Sequence, residues 1–151
     1  MILAAGKGTR LAPLTDKNPK ALVEIKGETL LELLIDKMKS FGIKDIIINV
    51  HHFPGMIISF LKENYKFNIN IQLSHEITLM GTGGGIKKTQ WFFNDNQPFL
   101  VHNVDVMSDV NFQSMLTQHS NSDCLATLAV SKRNSERQLL FDDKSNKMIS
   151  L

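Results

Sequence analysis

The chain has 151 residues, of which 42% are hydrophobic and 21% are charged, a composition typical of globular rather than disordered or fibrous proteins. Its 17 basic and 15 acidic residues leave a formal net charge of +2 and form no long basic run, which argues against a general nucleic-acid-binding surface. This length suits one domain with its own core, and we expect that domain to span residues 1–151.

Membrane spans and disulfides are not expected from this sequence. No apolar run approaches membrane-spanning length and no signal-like segment is present, so a cytoplasmic location follows by default. The single cysteine, Cys124, cannot form an intrachain disulfide. It lies in an apolar stretch, so we expect a buried, unreactive thiol.

The first predicted element is a short buried strand over residues 1–5, which runs directly into the glycine-rich loop at residues 6–10, GKGTR. Glycine lets the backbone approach a ligand and adopt a positive φ, so that successive N–H groups can point at one anion. Arg10 and Lys20 would add the positive charge that a polyphosphate requires. The pattern therefore indicates a phosphate-binding loop.

Two familiar phosphate-binding motifs do not fit this loop. The Walker A pattern requires a glycine at the position that Met1 occupies. The dinucleotide fingerprint requires a third glycine where Leu11 stands. The loop is therefore of another kind.

The next segments predict alternating helices and strands. Thr29 and Glu32 have the spacing of a capping box and open a helix that Gly42 ends. The β-branched run at residues 45–50 suits a strand buried on both faces, and Pro54 marks the start of a second helix.

The remaining predicted elements are a strand over residues 67–73, a glycine-rich helix start at 81–85, a buried strand over 98–101, a helix over 111–119, a strong strand over 124–131 and weaker strands over 139–141 and 148–151. Strands that alternate with helices predict an α/β fold with a mostly parallel sheet covered on both sides. In such sheets ligands bind beyond the carboxyl ends of the strands.

The sequence LAAGKGTRLxPLTxxxPKxL, over residues 3–22, resembles the signature of the sugar-1-phosphate nucleotidylyltransferases, or NDP-sugar pyrophosphorylases. The elements NVHH and GTGGGI are similar to those of the bacterial mannose-1-phosphate guanylyltransferase and N-acetylmuramate-1-phosphate uridylyltransferase group. The resemblance implies a Rossmann-like three-layer α/β/α fold of the nucleotide-diphospho-sugar transferase type, with a mostly parallel (mixed) central sheet. The chain then corresponds to the N-terminal portion of the family domain, truncated at the C-terminus.

The implied reaction transfers NMP from an NTP to a sugar 1-phosphate, giving an NDP-sugar and pyrophosphate. The expected substrate pairs are GTP with mannose 1-phosphate and UTP with an amino-sugar 1-phosphate, with Mg²⁺, or Mn²⁺, as cofactor. No nucleic-acid or membrane partner is expected, and the chain is expected to be a monomer or a homodimer. Two alternatives stay open: a nucleotide-binding sensor without catalysis, and a cytidylyltransferase that uses phosphocholine.

The resemblance also implies roles for particular residues. The implied catalytic residues are Arg10, Lys20 and Asp105, of which Asp105 would bind the metal. The implied nucleotide-binding residues are Leu3, Ala4, Ala5, Gly6, Lys7, Gly8, Thr9, Arg10, Lys20, Glu76, Gly81, Thr82 and Asn103.

Two acidic side chains are expected to determine metal binding and the choice of nucleotide base. Asp105 follows a predicted buried strand, where a carboxylate suits Mg²⁺, although an aspartate there also commonly caps a turn. Glu76 lies five residues before the glycine cluster, where the family reads the base edge, and an ionised carboxylate suits the donors of guanine. The alternative for Glu76 is a solvated residue in a flexible loop.

Three other features bear on the site. The glycines at residues 81–85 lower helix stability by roughly 1 kcal/mol each, which a chain tolerates where a ligand lies against bare backbone. His51 and His52 are adjacent on an extended segment, so they point apart and are loop residues near the site rather than a zinc pair. The family's second metal-binding aspartate has no counterpart, since Asp142 and Asp143 lie in a predicted turn.

Overall fold

The computed structural model describes residues 1–131, 139–142 and 148–150. The chain divides into two compact units, Met1–Gln113 and Ser114–Leu151. In chain order, the described strands and α-helices are β1 (Ile2–Leu3), β2 (Glu24–Ile25), β3 (Glu28–Thr29), α1 (Leu30–Ser40), β4 (Asp45–Val50), α2 (Pro54–Glu63), β5 (Asn70–His75), α3 (Gly81–Lys88), β6 (His102–Asn103), α4 (Phe112–Ser120), β7 (Leu140–Phe141) and β8 (Met148–Ser150).

The first unit contains a four-stranded parallel sheet in the order β5–β4–β1–β6. Leu3 on β1 pairs with Asn49 on β4 and with Asn103 on β6. The chain moves outward from β1 through β4 to β5 and then crosses to the other side of β1, so the strand order reverses between β1 and β6. Because ligands bind at such a reversal, beyond the carboxyl ends of the strands, the topology marks this edge as the candidate site. The predicted parallel α/β fold is confirmed.

Strand β4 is buried on both faces, as the sequence predicted. Ile46 and Ile48 belong to one core cluster with buried side chains of α1, α2 and β5. Ile47 belongs to a second cluster, with Met1 and Leu3 of the β1 segment. Burial on both faces explains why β4 is a nearly continuous apolar run rather than an alternating one.

Helix α1 has the predicted capping box. The Glu32 N–H donates to Thr29 Oγ1 at 3.1 Å, and the Thr29 N–H donates to Glu32 Oε2 at 3.4 Å. Gly42 follows the helix with a φ of +80°, a conformation that favours glycine, and its N–H donates to Lys39 O at 2.8 Å. Pro54 begins α2 as predicted.

Two strands of the first unit begin later than the sequence predicted. The strand expected over residues 67–73 is β5, and Phe67 before it has a φ of +55° within a 3₁₀ turn. The strand expected over residues 98–101 is displaced to β6, which pairs with β1 only at His102 and Asn103. In both cases the paired register, rather than the apolar run, decides where the strand starts.

The second unit differs from the sequence prediction in two respects. Residues 124–131 form no strand in the structure, and Cys124 is exposed rather than buried. An apolar run forms a strand only where a neighbour takes up its backbone hydrogen bonds, and no described strand pairs with this segment. The weaker predicted strands are present as the antiparallel pair β7 and β8, while Asp143 and residue 151 lie outside the described residues.

Within the described part of the chain, no helix has the length and apolar character needed to cross a membrane.

Candidate nucleotide-binding site

The glycine loop leaves β1 at the carboxyl edge of the sheet. Gly8 has a φ of +68°, which favours glycine. A Cβ at Gly8 would lie 2.9 Å from Lys20 Cβ and 2.9 Å from Thr15 Cγ2. The Thr15 hydroxyl also donates to Gly8 O at 2.9 Å. Backbone conformation and lack of space therefore both require glycine at this position.

Lys20 brings a positive charge to this loop. Its Nζ lies 3.3 Å from the position that a Cβ on Gly6 would take. The same Nζ forms an ion pair with Asp105 Oδ1 at 3.1 Å, and the two side chains are 12% and 30% exposed. Two residues that the sequence predicted to be functional, 85 positions apart, thus meet at the edge where β1 and β6 end.

The second glycine cluster forms the start of α3, with Gly81 at a φ of +70°. Gly85 is buried, and a Cβ there would lie 2.8 Å from Asn49 Nδ2 and 2.9 Å from Glu76 Oε1. Helix α3 therefore lies directly on two polar side chains at the ends of β4 and β5.

Asn49 and Glu76 form a buried hydrogen-bonded pair. Asn49 is 3% exposed and Glu76 is 0% exposed, so the alternative of a solvated Glu76 is wrong. Asn49 Nδ2 donates to Glu76 Oε1 at 2.8 Å. Asn49 Oδ1 accepts the Ala4 N–H at 2.8 Å, and Glu76 Oε2 accepts the Met80 N–H at 3.0 Å.

These elements enclose a cleft of about 170 Å³. Its lining residues are Leu3, Ala5, Gly6, Lys20, Asn49, Glu76, Leu79, Gly81, Thr82 and Asn103. Glu76 contributes to this lining although it has no exposed surface, because both of its carboxylate oxygens accept hydrogen bonds from Asn49 and Met80. The structure therefore brings the glycine loop, Lys20, α3 and Asn103 around one space.

Some predicted site residues do not line the cleft. Ala4 donates its N–H to Asn49, so that group is not offered to a ligand. Lys7 and Arg10 are exposed on the loop and the 3₁₀ turn that follows it. Gly8 packs against the side chains of Thr15 and Lys20. Asn49 and Leu79 are cleft residues that the sequence analysis missed, although Asn49 is the first residue of the NVHH element.

Two histidines lie near the site without forming a metal centre. His51 Nδ1 is 2.9 Å from the Glu76 carbonyl oxygen, which fixes its ring beside the buried pair. At β6, burial lowers the pKa of His102 from 6.5, the Asn103 carbonyl opposes this shift, and Lys37 adds to it. Within the described residues, no three His, Cys, Asp or Glu side chains converge as a metal cluster.

Comparison with known proteins identifies the family of the chain. The nucleotidyl transferase family matches residues 1–139. The chain is 36% identical over 134 residues to a mannose-1-phosphate guanyltransferase of Gibberella zeae, a match that covers 87% of this chain and 37% of that protein. It is 31% identical over 140 residues to a UTP–glucose-1-phosphate uridylyltransferase of Synechocystis, a match that covers 85% of this chain and 36% of that protein.

A solved structure has a similar fold. It is HddC from Yersinia pseudotuberculosis complexed with GMP-PN, with a TM-score of 0.69 and 28% identity, over 81% of this chain and 53% of that one. The chain therefore belongs to the nucleotidyl transferase family, and the resemblance to its sugar-1-phosphate nucleotidylyltransferases is confirmed. The chain spans about 37% of the length of its curated guanyltransferase relatives.

Proposed function

We propose that this chain forms the nucleotide-binding part of an enzyme that transfers a nucleoside monophosphate from a triphosphate to a sugar 1-phosphate. The observation that carries the proposal is the meeting of Lys20 and Asp105 beside Gly6. An ammonium group and a carboxylate at this edge suit a metal-bound polyphosphate, because phosphate requires positive charge and Mg²⁺ requires oxygen ligands.

The proposed reaction is a single displacement at phosphorus. A phosphate oxygen of the sugar 1-phosphate forms a bond to the α-phosphorus, and the bond from that phosphorus to the bridging oxygen breaks, releasing pyrophosphate. Such a transfer depends on in-line positioning and on neutralisation of charge. Backbone N–H groups from Ala5 to Thr9 would bind the phosphates, with Arg10 facing the departing pyrophosphate and Lys20 facing the reacting centre.

Asp105 is the residue that would hold Mg²⁺, or Mn²⁺ in its place. Its carboxylate is partly exposed, and the Lys20 ammonium lies 3.1 Å from Oδ1, so a metal ion bound there would take the place of Lys20 at this carboxylate. One aspartate, with phosphate oxygens and water, suits Mg²⁺, which commonly uses one or two carboxylates in such sites. When bound, the ion would neutralise negative charge on the phosphates.

The nucleoside would lie in the cleft against the start of α3. Leu3, Ala5 and Asn103 line one side of this cleft, and Gly81 and Thr82 line another. The names of the relatives support a guanosine or uridine nucleotide: one relative is a guanyltransferase and another a uridylyltransferase. We therefore retain GTP with mannose 1-phosphate and UTP with an amino-sugar 1-phosphate as the proposed pairs.

Pyrophosphate release tests this function. The assay would combine GTP, UTP, CTP and dTTP with a panel of sugar 1-phosphates and phosphocholine, using this chain and a version extended to the length of its relatives. We expect Mg²⁺-dependent release with one sugar 1-phosphate pair and a roughly 100-fold loss in Asp105→Asn. If the extended chain turned over no pair of substrates, the proposed enzymatic function would be wrong. Tight binding that ignores Mg²⁺ and Asp105→Ala would instead favour a sensor.

A further inference from the structure

The buried Asn49–Glu76 pair joins two segments that both line the cleft. At one end, Asn49 Oδ1 accepts the N–H of Ala4, which lies two residues before Gly6, the first residue of the glycine loop. At the other end, Glu76 Oε2 accepts the N–H of Met80, which directly precedes α3. The pair therefore connects the start of the phosphate loop to the start of the glycine helix.

We propose that Asn49 and Glu76 are positioning residues that fix the distance between the glycine loop and α3, and that Glu76 acts through this pair rather than by touching the base. The proposal rests on the proposed function, in which these two segments hold the nucleotide. It replaces the base-reading role that the family resemblance implied for Glu76. Both carboxylate oxygens accept hydrogen bonds from the chain, and the side chain has no exposed surface.

Packing around the pair leaves its members little freedom. The Glu76 N–H donates to Val50 O at 2.8 Å, which extends the β4–β5 ladder by one residue. His51 Nδ1 lies against the Glu76 carbonyl oxygen at 2.9 Å. Gly85 of α3 approaches both side chains so closely that an added Cβ would fall within 2.9 Å of each. The helix backbone therefore takes its position directly from the pair.

The direction of the hydrogen bonds makes the pair testable. The backbone N–H groups of Ala4 and Met80 donate to the two ends of the pair. The pair itself supplies three acceptors, Asn49 Oδ1 and the two Glu76 carboxylate oxygens, and one donor, Asn49 Nδ2. In Glu76→Gln, one contact must set two donors against each other, whichever way the two amides are turned. In Asn49→Asp, two carboxylates face each other with no donor between them.

The double variant Asn49→Asp with Glu76→Gln satisfies every contact again. The aspartate accepts from Ala4, the glutamine amide donates to the aspartate, and the glutamine oxygen accepts from Met80. The pair keeps one negative charge and nearly the same shape. Rescue by this reversed pair distinguishes positioning through hydrogen bonds from simple loss of volume.

The experiment measures calorimetric binding of Mg²⁺–GTP and Mg²⁺–UTP to the chain and to the three variants. Each single variant is expected to bind roughly tenfold or more weakly, since an unsatisfied buried polar group is costly. The double variant is expected to return to within about threefold of the parent, with the same preference between GTP and UTP. Unchanged binding by the single variants would overturn the proposal. A changed base preference in the double variant would also overturn it, because a glutamine presents a donor where the base would meet an acceptor.

Amide hydrogen exchange at Ala4 and Met80 separates this proposal from the proposed function. If no nucleotide binds to the parent chain, the proposed function fails, and exchange still tests the pair. Protection at both amides should fall in each single variant and return in the double variant; unchanged protection would contradict the pair's role.

A glycine variant covers the case in which the double variant does not fold. Gly85→Ala removes no polar group, but its Cβ would lie within 2.9 Å of both side chains of the pair. We therefore expect it to lower the protection of the Ala4 and Met80 amides. Gly83→Ala is the matched control, because a Cβ there would meet nothing within 4 Å. Equal protection of the Ala4 and Met80 amides in the two glycine variants would contradict the positioning role of the Asn49–Glu76 pair.

Discussion

At the scale of single residues, one ammonium group lies between a carboxylate and the glycine loop. Lys20 Nζ is 3.1 Å from Asp105 Oδ1 and lies against Gly6 of the phosphate loop. A phosphate on the loop and the Asp105 carboxylate would therefore share this cation. Binding of Mg²⁺ at Asp105 would supply a second positive charge and leave Lys20 to the phosphate.

Lys20→Met removes this charge while retaining much of the side-chain length. We expect Mg²⁺–GTP to bind roughly 10- to 100-fold more weakly, the loss typical of a charge-assisted hydrogen bond. Calorimetric titration measures the effect. Lys17→Met is the matched control, because Lys17 is exposed and its loss changes net charge equally. If both variants lost affinity to the same extent, general electrostatics rather than the Lys20 contact would explain the result.

His102 should make stability depend on pH. Burial lowers its pKa from 6.5 in the folded chain, so the unfolded chain takes up a proton at a higher pH than the folded chain does. Above pH 6.5 His102 is mostly neutral in both states and does not lower the free energy of unfolding. As the pH falls from 6.5 toward the lowered pKa of the folded state, the unfolded chain is protonated first, so the free energy of unfolding decreases.

His102→Gln removes this titration, so its stability should fall less steeply with acid. Urea unfolding at several pH values between 5 and 8 measures the difference between the two proteins (the range is roughly that in which histidine titrates). Parallel pH profiles for parent and variant would show that His102 is not the source.

At the scale of elements, helix α1 depends on its N-terminal cap. The Thr29 hydroxyl accepts the Glu32 N–H at 3.1 Å, and Thr29 is buried. Thr29→Val keeps the shape but removes the acceptor, and should lower the free energy of unfolding by about 1 kcal/mol. Thr29→Ser, which keeps the hydroxyl, should lose less. Denaturant unfolding measures both variants, and a larger loss in Thr29→Ser than in Thr29→Val would mean that packing of the methyl group, not capping, causes the effect.

Local sequence signals predicted elements well where local chemistry decides them. The capping box at Thr29, the proline at the start of α2 and the apolar run of β4 each specify structure within a few residues. The segment at residues 124–131 has an equally strong apolar pattern but forms no strand. Strand formation there depends on a pairing partner, which the segment itself does not contain.

At the scale of the whole molecule, the sheet assembles a site from distant residues. The register that places Leu3 between Asn49 and Asn103 also brings the glycine loop, α3 and Asp105 to one edge. Glycine spacing predicted the loop and the family resemblance predicted Asp105. Asn49 could not be predicted, because its role depends on which strand lies beside β1 and on the burial of Glu76. Tertiary register therefore determines the part of the site that local patterns do not reveal.

Calorimetry tests whether this edge of the sheet binds a metal–triphosphate complex. The chain and its Asp105→Asn variant would each be titrated with GTP, UTP, CTP and dTTP, with Mg²⁺ and with EDTA in its place. We predict that the parent binds GTP or UTP in Mg²⁺, that EDTA weakens this binding, and that Asp105→Asn weakens binding in Mg²⁺ without changing it in EDTA. Failure of all four nucleotides to bind, or binding that neither EDTA nor Asp105→Asn alters, would contradict it.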